Sequence, residues 1–210
     1  MPPKPRYSRD EMLDCAFQIL REEGASSVTA RDLGARLETS SRPVFTAFSG
    51  MEEVRSALNE RAEALYQTHI EKALYYTMPY KRIGMEIHAF AKKEKHVFSY
   101  IFLENRQETS KNGEKFLIPR HLSETCVNAL LEDFSVGKQD AELIFDHVIM
   151  TAFSLAYMET AGYEKMKEDA VCDLIGRQIT SLVMLAKKGQ IRHPTMTPVY
   201  KGKPHKGVDV

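Results

Sequence analysis

Residues 27–54 decide the fold, and they read SVTARDLGARLETSSRPVFTAFSGMEEV. Thr29 is followed three residues later by Asp32, a capping-box spacing that predicts the start of a helix. Residues 37–41 are rich in Ser and Thr, which favour caps and turns over helix interiors, so we expect the chain to turn there. A second short helix then follows, because Pro43 suits a first turn, where its missing N–H has no helical partner.

The second short helix and the stretch after it complete a three-part pattern. Val44, Phe45 and Phe48 recur at the spacing of one helix face and predict its inward side. Ser49 and Glu52 form another capping-box spacing, which predicts the start of a long third helix. Two short helices joined by a tight turn are typical of a helix-turn-helix, whose second helix lies in a DNA major groove. A helical hairpin with a purely structural role has the same caps and stays the alternative.

Several short runs in this region carry a family likeness. They are the Glu-Glu-Gly-Ala run at 22–25, Val28-Thr29-x-Arg31-Asp32-Leu33, Ser40, Val44-Phe45-x-x-Phe48 and Glu52-Glu53-Val54. In order, spacing and residue type, residues 8–54 resemble the DNA-binding domain of the TetR family of one-component bacterial regulators. The resemblance implies an all-α protein with a three-helix DNA-binding head at 1–54 and a larger helical body at 55–189 for effector binding and dimerisation. Residues 190–210 are basic and rich in Pro and Gly, which predicts a flexible tail.

The predicted DNA contacts lie in the two short helices and in the N-terminal arm. Arg42 is the best candidate for a base edge, since a guanidinium can pair bidentately with guanine N7 and O6. A phosphate contact at Arg42 is the alternative, and Thr29 and Arg31 are expected to touch phosphates. The arm holds Lys4 and Arg6, which either tether the protein to DNA or form a solvated terminus. The other candidates are Ser40, Ser41, Pro43, Phe45 and Thr46.

Four residues depart from the pattern of the family that the head resembles. A tyrosine is common where Phe45 stands, and its hydroxyl often reaches a phosphate. Histidine or tyrosine is usual at the place of Ala47 and lysine at that of Met51, so three phosphate contacts of the family are missing. Gly34 stands where alanine is common, which costs the first short helix up to about 1 kcal/mol if the position is interior. We therefore expect more reliance on Arg42, on the arm and on dimer symmetry.

Composition limits the classes of protein that fit. The 210 residues have a net charge of zero, which argues against a broadly basic nucleic-acid binder. Residues 51–186 hold 16 Lys and Arg against 21 Asp and Glu, whereas residues 187–210 hold 6 against 1. No segment reaches the roughly 20 apolar residues of a membrane span, and the N-terminus lacks a secretion signal. The three cysteines are odd in number and far apart, which indicates reduced thiols and a cytoplasmic protein.

The body is predicted to be wholly helical and to hold any effector site. Apolar periodicity predicts a long helix at 51–78, ended by Pro79, then helices at about 80–94, 96–105, 115–134, 138–161 and 164–188. Its Met and aromatic residues suit an adaptable ligand pocket, but such side chains also fill helical cores. The family resemblance places an effector cavity here. The pocket candidates are Tyr76, Met85, His88, Phe98, Phe102, Phe153 and Tyr157.

The last two predicted helices are apolar over more than one stripe, so each needs partners on two sides. In the family that the head resembles, these two helices pair with those of a second subunit in a four-helix bundle. The alternative is that both helices are buried inside one subunit. The interface candidates are Ile144, Val148, Thr151, Leu155, Ile175, Ile179 and Leu182.

Together these observations predict a ligand-responsive transcriptional regulator, most simply a repressor, that binds a pseudo-palindromic double-stranded DNA operator as a homodimer. The sequence shows no phosphate-binding glycine loop, metalloprotease histidine pair or nucleophile elbow, so we expect no enzyme, metal or cofactor beyond an unknown small-molecule effector. The alternative function is a helical protein that binds a small molecule or a partner and whose head has lost specific DNA readout.

Overall fold

The computed structural model describes residues 7–104, 115–163 and 165–191, and within them the protein has nine α-helices and no strand. The helices are α1 (Arg9–Glu23), α2 (Ala30–Arg36), α3 (Arg42–Ala47), α4 (Met51–Ile70), α5 (Pro79–Lys93), α6 (Lys95–Ser99), α7 (Arg120–Phe134), α8 (Lys138–Ala161) and α9 (Glu168–Lys187). The prediction of an all-α fold is confirmed.

Helices α1, α2 and α3 form the head around a small apolar core. The Ser8 hydroxyl accepts a hydrogen bond from the Glu11 amide, and the Glu11 carboxylate accepts one from the Ser8 amide, so a complete capping box begins α1. Gly24 ends this helix with a φ of 91°, a conformation that glycine adopts without strain. The head core is formed by the buried side chains of Met12, Ala16, Ile19, Leu20, Val28, Leu33, Val44 and Phe48.

The long helix predicted at 51–78 is shorter in the structure. Helix α4 ends at Ile70, and the chain continues as a 3₁₀-helix over Glu71–Tyr75. Pro79 does not end a helix but opens α5 in its first turn, where its missing N–H and fixed φ are tolerated. The predicted capping box of Ser49 with Glu52 is also wrong, since the carboxylate that accepts from Ser49 belongs to Glu53.

Two later helices begin further along the chain than predicted, and one is interrupted. The helix predicted at 115–134 begins at Arg120, directly after Pro119, and that predicted at 164–188 begins at Glu168. The helix predicted at 96–105 is split into α6 and a π-helical turn over Tyr100–Glu104. A π-turn places one more residue per turn, so it changes which side chains face inward.

Helix α5 lies at the centre of the body and packs most extensively on α8, with further contacts to α4, α6, α7 and α9. Buried polar side chains on α5 are held by neighbouring helices. Tyr80 donates a hydrogen bond of 2.6 Å to Asp133 on α7. Glu86 accepts from Arg82 at 2.7 Å and lies 3.0 Å from the Nε2 atom of His69 on α4. The Tyr80–Asp133 and Glu86–His69 pairs hold α5 against α7 and α4, whereas the Arg82–Glu86 pair lies within α5.

Helix α8 is long and apolar enough, by length and composition alone, to cross a membrane. The sequence analysis predicted no membrane-spanning segment, because isolated polar residues interrupt the apolar residues of α8. In the structure α8 packs on α5, α7 and α9, and Ala141, Ile144, Val148 and Ala152 are fully buried. Much of its apolar surface therefore serves the core of the body.

The head contacts the body through α1, which packs on both α4 and α6. The guanidinium of Arg21, in the last turn of α1, donates two hydrogen bonds to Glu94, between α5 and α6, at 2.8 and 2.5 Å. Arg61 on α4 forms an ion pair with Asp14 on α1, and its guanidinium lies 5.4 Å from the ring of Phe17. Packing and ion pairs together connect the head to α4 and to the α5–α6 junction.

Candidate DNA-binding surface and effector region

The turn between α2 and α3 is fixed by hydrogen bonds from both sides. The Tyr7 hydroxyl donates to the carbonyl of Leu37 at 2.6 Å, and the Thr39 amide donates to the carbonyl of Gly34 at 2.8 Å. Glu38 adopts a φ of 50°, a left-handed conformation that reverses the chain direction within the turn. The path from α2 to α3 is therefore set by contacts that reach back to the start of the head.

Gly34 allows the turn to lie directly against α2. A Cβ atom built at Gly34 would lie 2.9 Å from the carbonyl carbon of Ser40 and 3.0 Å from the amide nitrogen of Ser41. Both neighbours are backbone atoms that no side-chain rotation can move away. The lower helix propensity of glycine is thus accompanied by a steric requirement, which explains why alanine does not stand here.

Thr29 begins α2 through its side chain. Its hydroxyl oxygen accepts a hydrogen bond of 3.1 Å from the Asp32 amide and donates one of 2.6 Å to the Asp32 carboxylate. The predicted cap is therefore present, with the carboxylate bound to the Thr29 hydroxyl. Thr29 is nevertheless exposed, as is the neighbouring Arg31.

Helix α3 presents two different faces. Val44 and Phe48 are only 0% and 2% exposed, and they fill the head core. Phe45, which we had predicted on the same inward face, is 53% exposed. Because successive helix positions are rotated by about 100°, a residue directly after the buried Val44 points away from the core. The prediction of an inward Phe45 is therefore wrong, while its place among the candidate DNA contacts stays open.

The outer face of α3 carries Phe45 together with the exposed residues Arg42 and Thr46. The Thr46 hydroxyl donates to the carbonyl of Arg42 at 3.1 Å, an i to i−4 bond. Ser40 is exposed, and Ser41 and Pro43 are partly exposed, at the start of the helix. Lys4 and Arg6 lie outside the described residues.

Arg9 anchors the end of α3 from the neighbouring helix. Its guanidinium donates to the carbonyl of Ala47 at 3.2 Å and to Glu53 at 2.5 Å, and it lies 4.3 Å from the centre of the Phe48 ring. Glu53 also accepts from the amide and hydroxyl of Ser49 at 2.7 and 2.8 Å. The Ser49 amide, then Arg9 and the Ser49 hydroxyl, lower the pKa of Glu53 to about 2. No local sequence pattern indicates this role of Arg9, because its partners are 38 to 44 residues away.

The arginines of the described head fall into two groups. Arg9, Arg21 and Arg36 are each paired with carboxylates, Arg36 with Glu22 and Glu23 at 2.5 and 2.7 Å. Arg31 and Arg42 have no carboxylate partner among residues 7–104, 115–163 and 165–191, and both are exposed. These two side chains had been predicted to contact DNA from the sequence. Their charges are available to an external anion, whereas Arg9 and Arg36 are paired within the head and Arg21 is paired with Glu94 of the body.

The predicted pocket residues do not all meet in one place. Phe98, Phe102 and Phe153 form a cluster with ring centroids 4.8 to 5.8 Å apart. Tyr76 lies elsewhere and is exposed. The guanidinium carbon of Arg82 lies 4.3 Å from the centre of the Tyr76 ring. Tyr157 is exposed and lies beside Tyr163, with 6.4 Å between ring centroids. Met85 is partly buried against the core.

Three further rings extend this cluster, which we call the aromatic cluster: Tyr66, Phe90, Phe98, Phe102, Phe116 and Phe153. At one end, the exposed Phe116 stacks on Phe153 at a centroid distance of 4.4 Å. At the other end, the ring of Tyr66 meets Phe90 and Phe102 edge-on at 5.3 and 5.0 Å. The cluster therefore runs from the protein surface to a fully buried tyrosine.

Tyr66 is 0% exposed, and its hydroxyl has no hydrogen-bond partner within the described part of the chain. Burial raises the pKa of this phenol, so the hydroxyl keeps its proton and remains a donor. A buried donor without a partner is unfavourable and is typical of sites that receive a water molecule or a ligand. No local sequence pattern indicates this unpartnered hydroxyl, since Tyr66 is one of several residues at core positions of α4.

His88 is buried on α5, with its Nε2 atom 3.5 Å from the carboxylate of Glu159 on α8. Burial lowers the pKa of His88, although the charge of Glu159 acts in the opposite direction. The Glu159 carboxylate also accepts from the Met166 amide at 3.3 Å. Among the described side chains, no group of three or more His, Cys, Asp or Glu residues is placed to hold a metal ion.

Most of the predicted interface residues lie inside the single chain. Ile144, Val148, Leu155, Ile175 and Ile179 are buried in the protein's own core, so they offer little surface to a second copy. This agrees with the alternative prediction for these positions. Partial exposure is found at Thr151 and Leu182. Large apolar side chains that α8 and α9 do expose are Met150, Tyr157, Met184 and Leu185.

Comparison with known proteins supports the fold. The sequence matches no protein-family model and no curated protein. A solved structure, that of a TetR-like transcriptional regulator from Rhodococcus sp. RHA1, matches with a TM-score of 0.59 and 20% sequence identity. The match covers 89% of this chain and 100% of the other. The chain therefore has the fold of a TetR-like regulator, as the resemblance of residues 8–54 had predicted.

Proposed function

We propose that this protein is a DNA-binding transcriptional regulator that reads a pseudo-palindromic operator as a homodimer and responds to a small-molecule effector. The premise is its TetR-like fold. The observation that carries the proposal is the division of the head arginines: those that stabilise the head are paired, while Arg31 and Arg42 are exposed without a carboxylate partner among the described residues. Two free cations beside an exposed helix face suit an anionic duplex.

Helix α3 is the element that would enter the major groove. Arg42 lies in its first turn, where the residues of a recognition helix contact base edges. Its guanidinium could pair bidentately with guanine. Arg31 and Thr29, at the start of α2, are suited to phosphates and would set the position of the head on the duplex.

Dimerisation would place two such heads about one helical turn of DNA apart, in adjacent major grooves. The exposed apolar residues of α8 and α9 support a second copy at this face: Met150, Tyr157, Met184 and Leu185. Met150 and Tyr157 are seven residues apart and lie on one side of α8, as expected if they contribute to one apolar patch. Thr151 and Leu182, the two interface candidates that are partly exposed, are the ones whose surface is open to a second copy.

The aromatic cluster supports an effector site in the body. Its rings offer contacts to an apolar or aromatic ligand, and the Tyr66 hydroxyl offers one hydrogen-bond donor without a partner in the described chain. Because α1 contacts α6 and Arg21 pairs with Glu94, a rearrangement near Phe98 on α6 could reach the head. Repression relieved by the effector is the simplest form of this linkage.

The first experiment is selection of duplexes from a random library by the purified full-length protein at physiological salt. Enrichment of a two-fold-symmetric site is expected, and Arg42→Ala should lose the base preference at one position of each half-site while leaving the protein folded. Enrichment of no sequence by a folded dimer would contradict DNA recognition. The same selection would provide the operator needed to screen for effectors and to determine whether they release or promote binding.

A second candidate function is binding of a small molecule or partner without specific DNA recognition. The observation in its favour is the residue set Phe45, Ala47 and Met51, which lacks the phosphate-contacting groups common at these places in the family that the head resembles. This candidate predicts only weak, salt-sensitive binding to any duplex. Both candidates place the protein in the cytoplasm.

A further inference from the structure

Phe45 is an exposed phenyl ring on the outer face of α3. Val44 and Phe48 occupy the core positions on either side of it in the sequence, at 0% and 2% exposure, so the helix cannot turn Phe45 inward without exposing them. The ring also has no contact with another aromatic ring or a cation among residues 7–104, 115–163 and 165–191. Packing within the described chain therefore leaves more than half of this side chain exposed.

The neighbours of Phe45 on α3 are those expected on the DNA-contacting face of a recognition helix. Arg42 lies three residues earlier and therefore on the same side of the helix, and Thr46 follows directly. Both are exposed. A phenyl ring has neither a donor nor an acceptor, so it cannot bind a phosphate or a base edge by hydrogen bonding. Its contribution to DNA recognition must be apolar.

The major groove offers one distinctive apolar group, the C5-methyl of thymine. We propose that Phe45 is a specificity-determining residue that contacts a thymine methyl in each half-site of the operator. This inference rests on the proposed function, and it adds which base the half-site must contain. It also gives the replacement of tyrosine by phenylalanine a positive role, since loss of a phosphate contact is accompanied by an apolar base contact.

The position of this thymine follows from helix geometry. Side chains three residues apart on one helix face have Cβ atoms about 5–6 Å apart. Base pairs are stacked about 3.4 Å apart along the duplex. The thymine read by Phe45 therefore lies one or two base pairs from the base read by Arg42, which we expect to be guanine.

The test uses the operator from the library selection and changes single thymines to deoxyuridine, which removes only the methyl group. At one thymine position, replacement by deoxyuridine in both half-sites should weaken the binding of wild-type protein about 15-fold. This corresponds to about fourfold for each methyl group removed. The same replacement should have no effect on Phe45→Ala. Phe45 is half exposed, so this variant is expected to fold, and circular dichroism checks that it does.

A complementary substitution tests the methyl group directly. Cytosine in place of that thymine should weaken binding, and 5-methylcytosine should restore part of the affinity for wild-type protein but not for Phe45→Ala. The inference is overturned if the selected half-site contains no thymine within two base pairs of the Arg42-dependent base. It is equally overturned if every deoxyuridine operator binds as tightly as the original, or if the loss persists in Phe45→Ala.

These outcomes are separate from failure of the proposed function. If the library yields no enriched site, the regulator itself is contradicted and the thymine contact with it. If a symmetric site is enriched but is insensitive to loss of thymine methyls, the regulator stands and only the role of Phe45 is wrong.

Discussion

The guanidinium of Arg21 and the carboxylate of Glu94 form a bidentate salt bridge between the head and the body. Their residues are 73 positions apart in the sequence, and Glu94 is only 8% exposed. Water can replace the Arg21 guanidinium as the partner of Glu94 only if this nearly buried carboxylate becomes more exposed. This pair therefore holds the end of α1 to the junction of α5 and α6.

Arg21→Ala should lower the free energy of unfolding by about 1–3 kcal/mol, because it leaves the Glu94 carboxylate buried without its hydrogen-bond donors. Chemical denaturation measures the loss. The double variant Arg21→Ala with Glu94→Gln should be less destabilised than the sum of the single variants, since no unpaired charge remains. Strict additivity would show that the two side chains do not interact in solution.

Gly34→Ala should destabilise the head by about 1–3 kcal/mol, since its Cβ would overlap the backbone of Ser40 and Ser41. The helix propensity of alanine alone would predict the opposite sign. Gly50→Ala is a matched control, because a Cβ there meets no atom within 4 Å and the backbone is extended with a φ of 171°. Hydrogen exchange of α2 and α3 reports the effect, and an unchanged or stabilised head would contradict the close approach.

Tyr66→Phe should raise the free energy of unfolding in the absence of ligand by about 1–3 kcal/mol, because it removes a buried hydroxyl without a partner in the described chain. Tyr80→Phe is the control of opposite sign, since that hydroxyl is bonded to Asp133 and its removal should destabilise the protein. Thermal unfolding compares the two. A destabilised Tyr66→Phe would mean that a bound water or another partner satisfies the hydroxyl.

Arg42→Ala and Arg31→Ala should differ in how they change DNA binding. Loss of a base contact at Arg42 should cost about 1–3 kcal/mol for the operator and leave binding to unrelated DNA nearly unchanged. Loss of a phosphate contact at Arg31 should weaken binding to all sequences and reduce the salt slope by about 1. Titrations at several salt concentrations separate the two. A uniform effect of Arg42→Ala would assign it to a phosphate.

His88 should make stability depend on pH in the weakly acidic range. Its pKa in the folded protein is lowered by burial, so the unfolded chain binds its proton more readily. The associated stability is present above the unfolded pKa of about 6.5 and is lost as the pH falls through the folded value. His88→Gln should remove this part of the slope, whereas His121→Gln, at an exposed position, controls for loss of an imidazole. An identical dependence of the free energy of unfolding on pH in wild type and His88→Gln would contradict this role of His88.

Local features of the fold were predictable because they depend on neighbouring residues. The capping box of Ser8 with Glu11, the stop at Gly24 and the Pro43 start each involve groups within four positions of one another. The end of α4 was not predictable in this way. Pro79 is compatible with either the end of one helix or the start of the next, and the structure has the second.

In the candidate site, too, features that depend on neighbouring residues were predictable, and those that depend on distant residues were not. The exposed cations of α2 and α3 could be proposed from their positions in a recognisable motif. The roles of Arg9 and Arg21 depend on partners 38 to 73 residues away, which no local pattern contains. The unpartnered hydroxyl of Tyr66 depends on which rings surround it, and periodicity specifies only that it is buried.

The internal pairing of Arg9, Arg21 and Arg36 has a consequence for how such a protein would search a genome. Each arginine held by a carboxylate is one fewer cation that can displace counterions from arbitrary DNA. Residence on unrelated sequence would be short, and most copies would stay available for the few sites that α3 can read. A small cellular copy number would then suffice to occupy them.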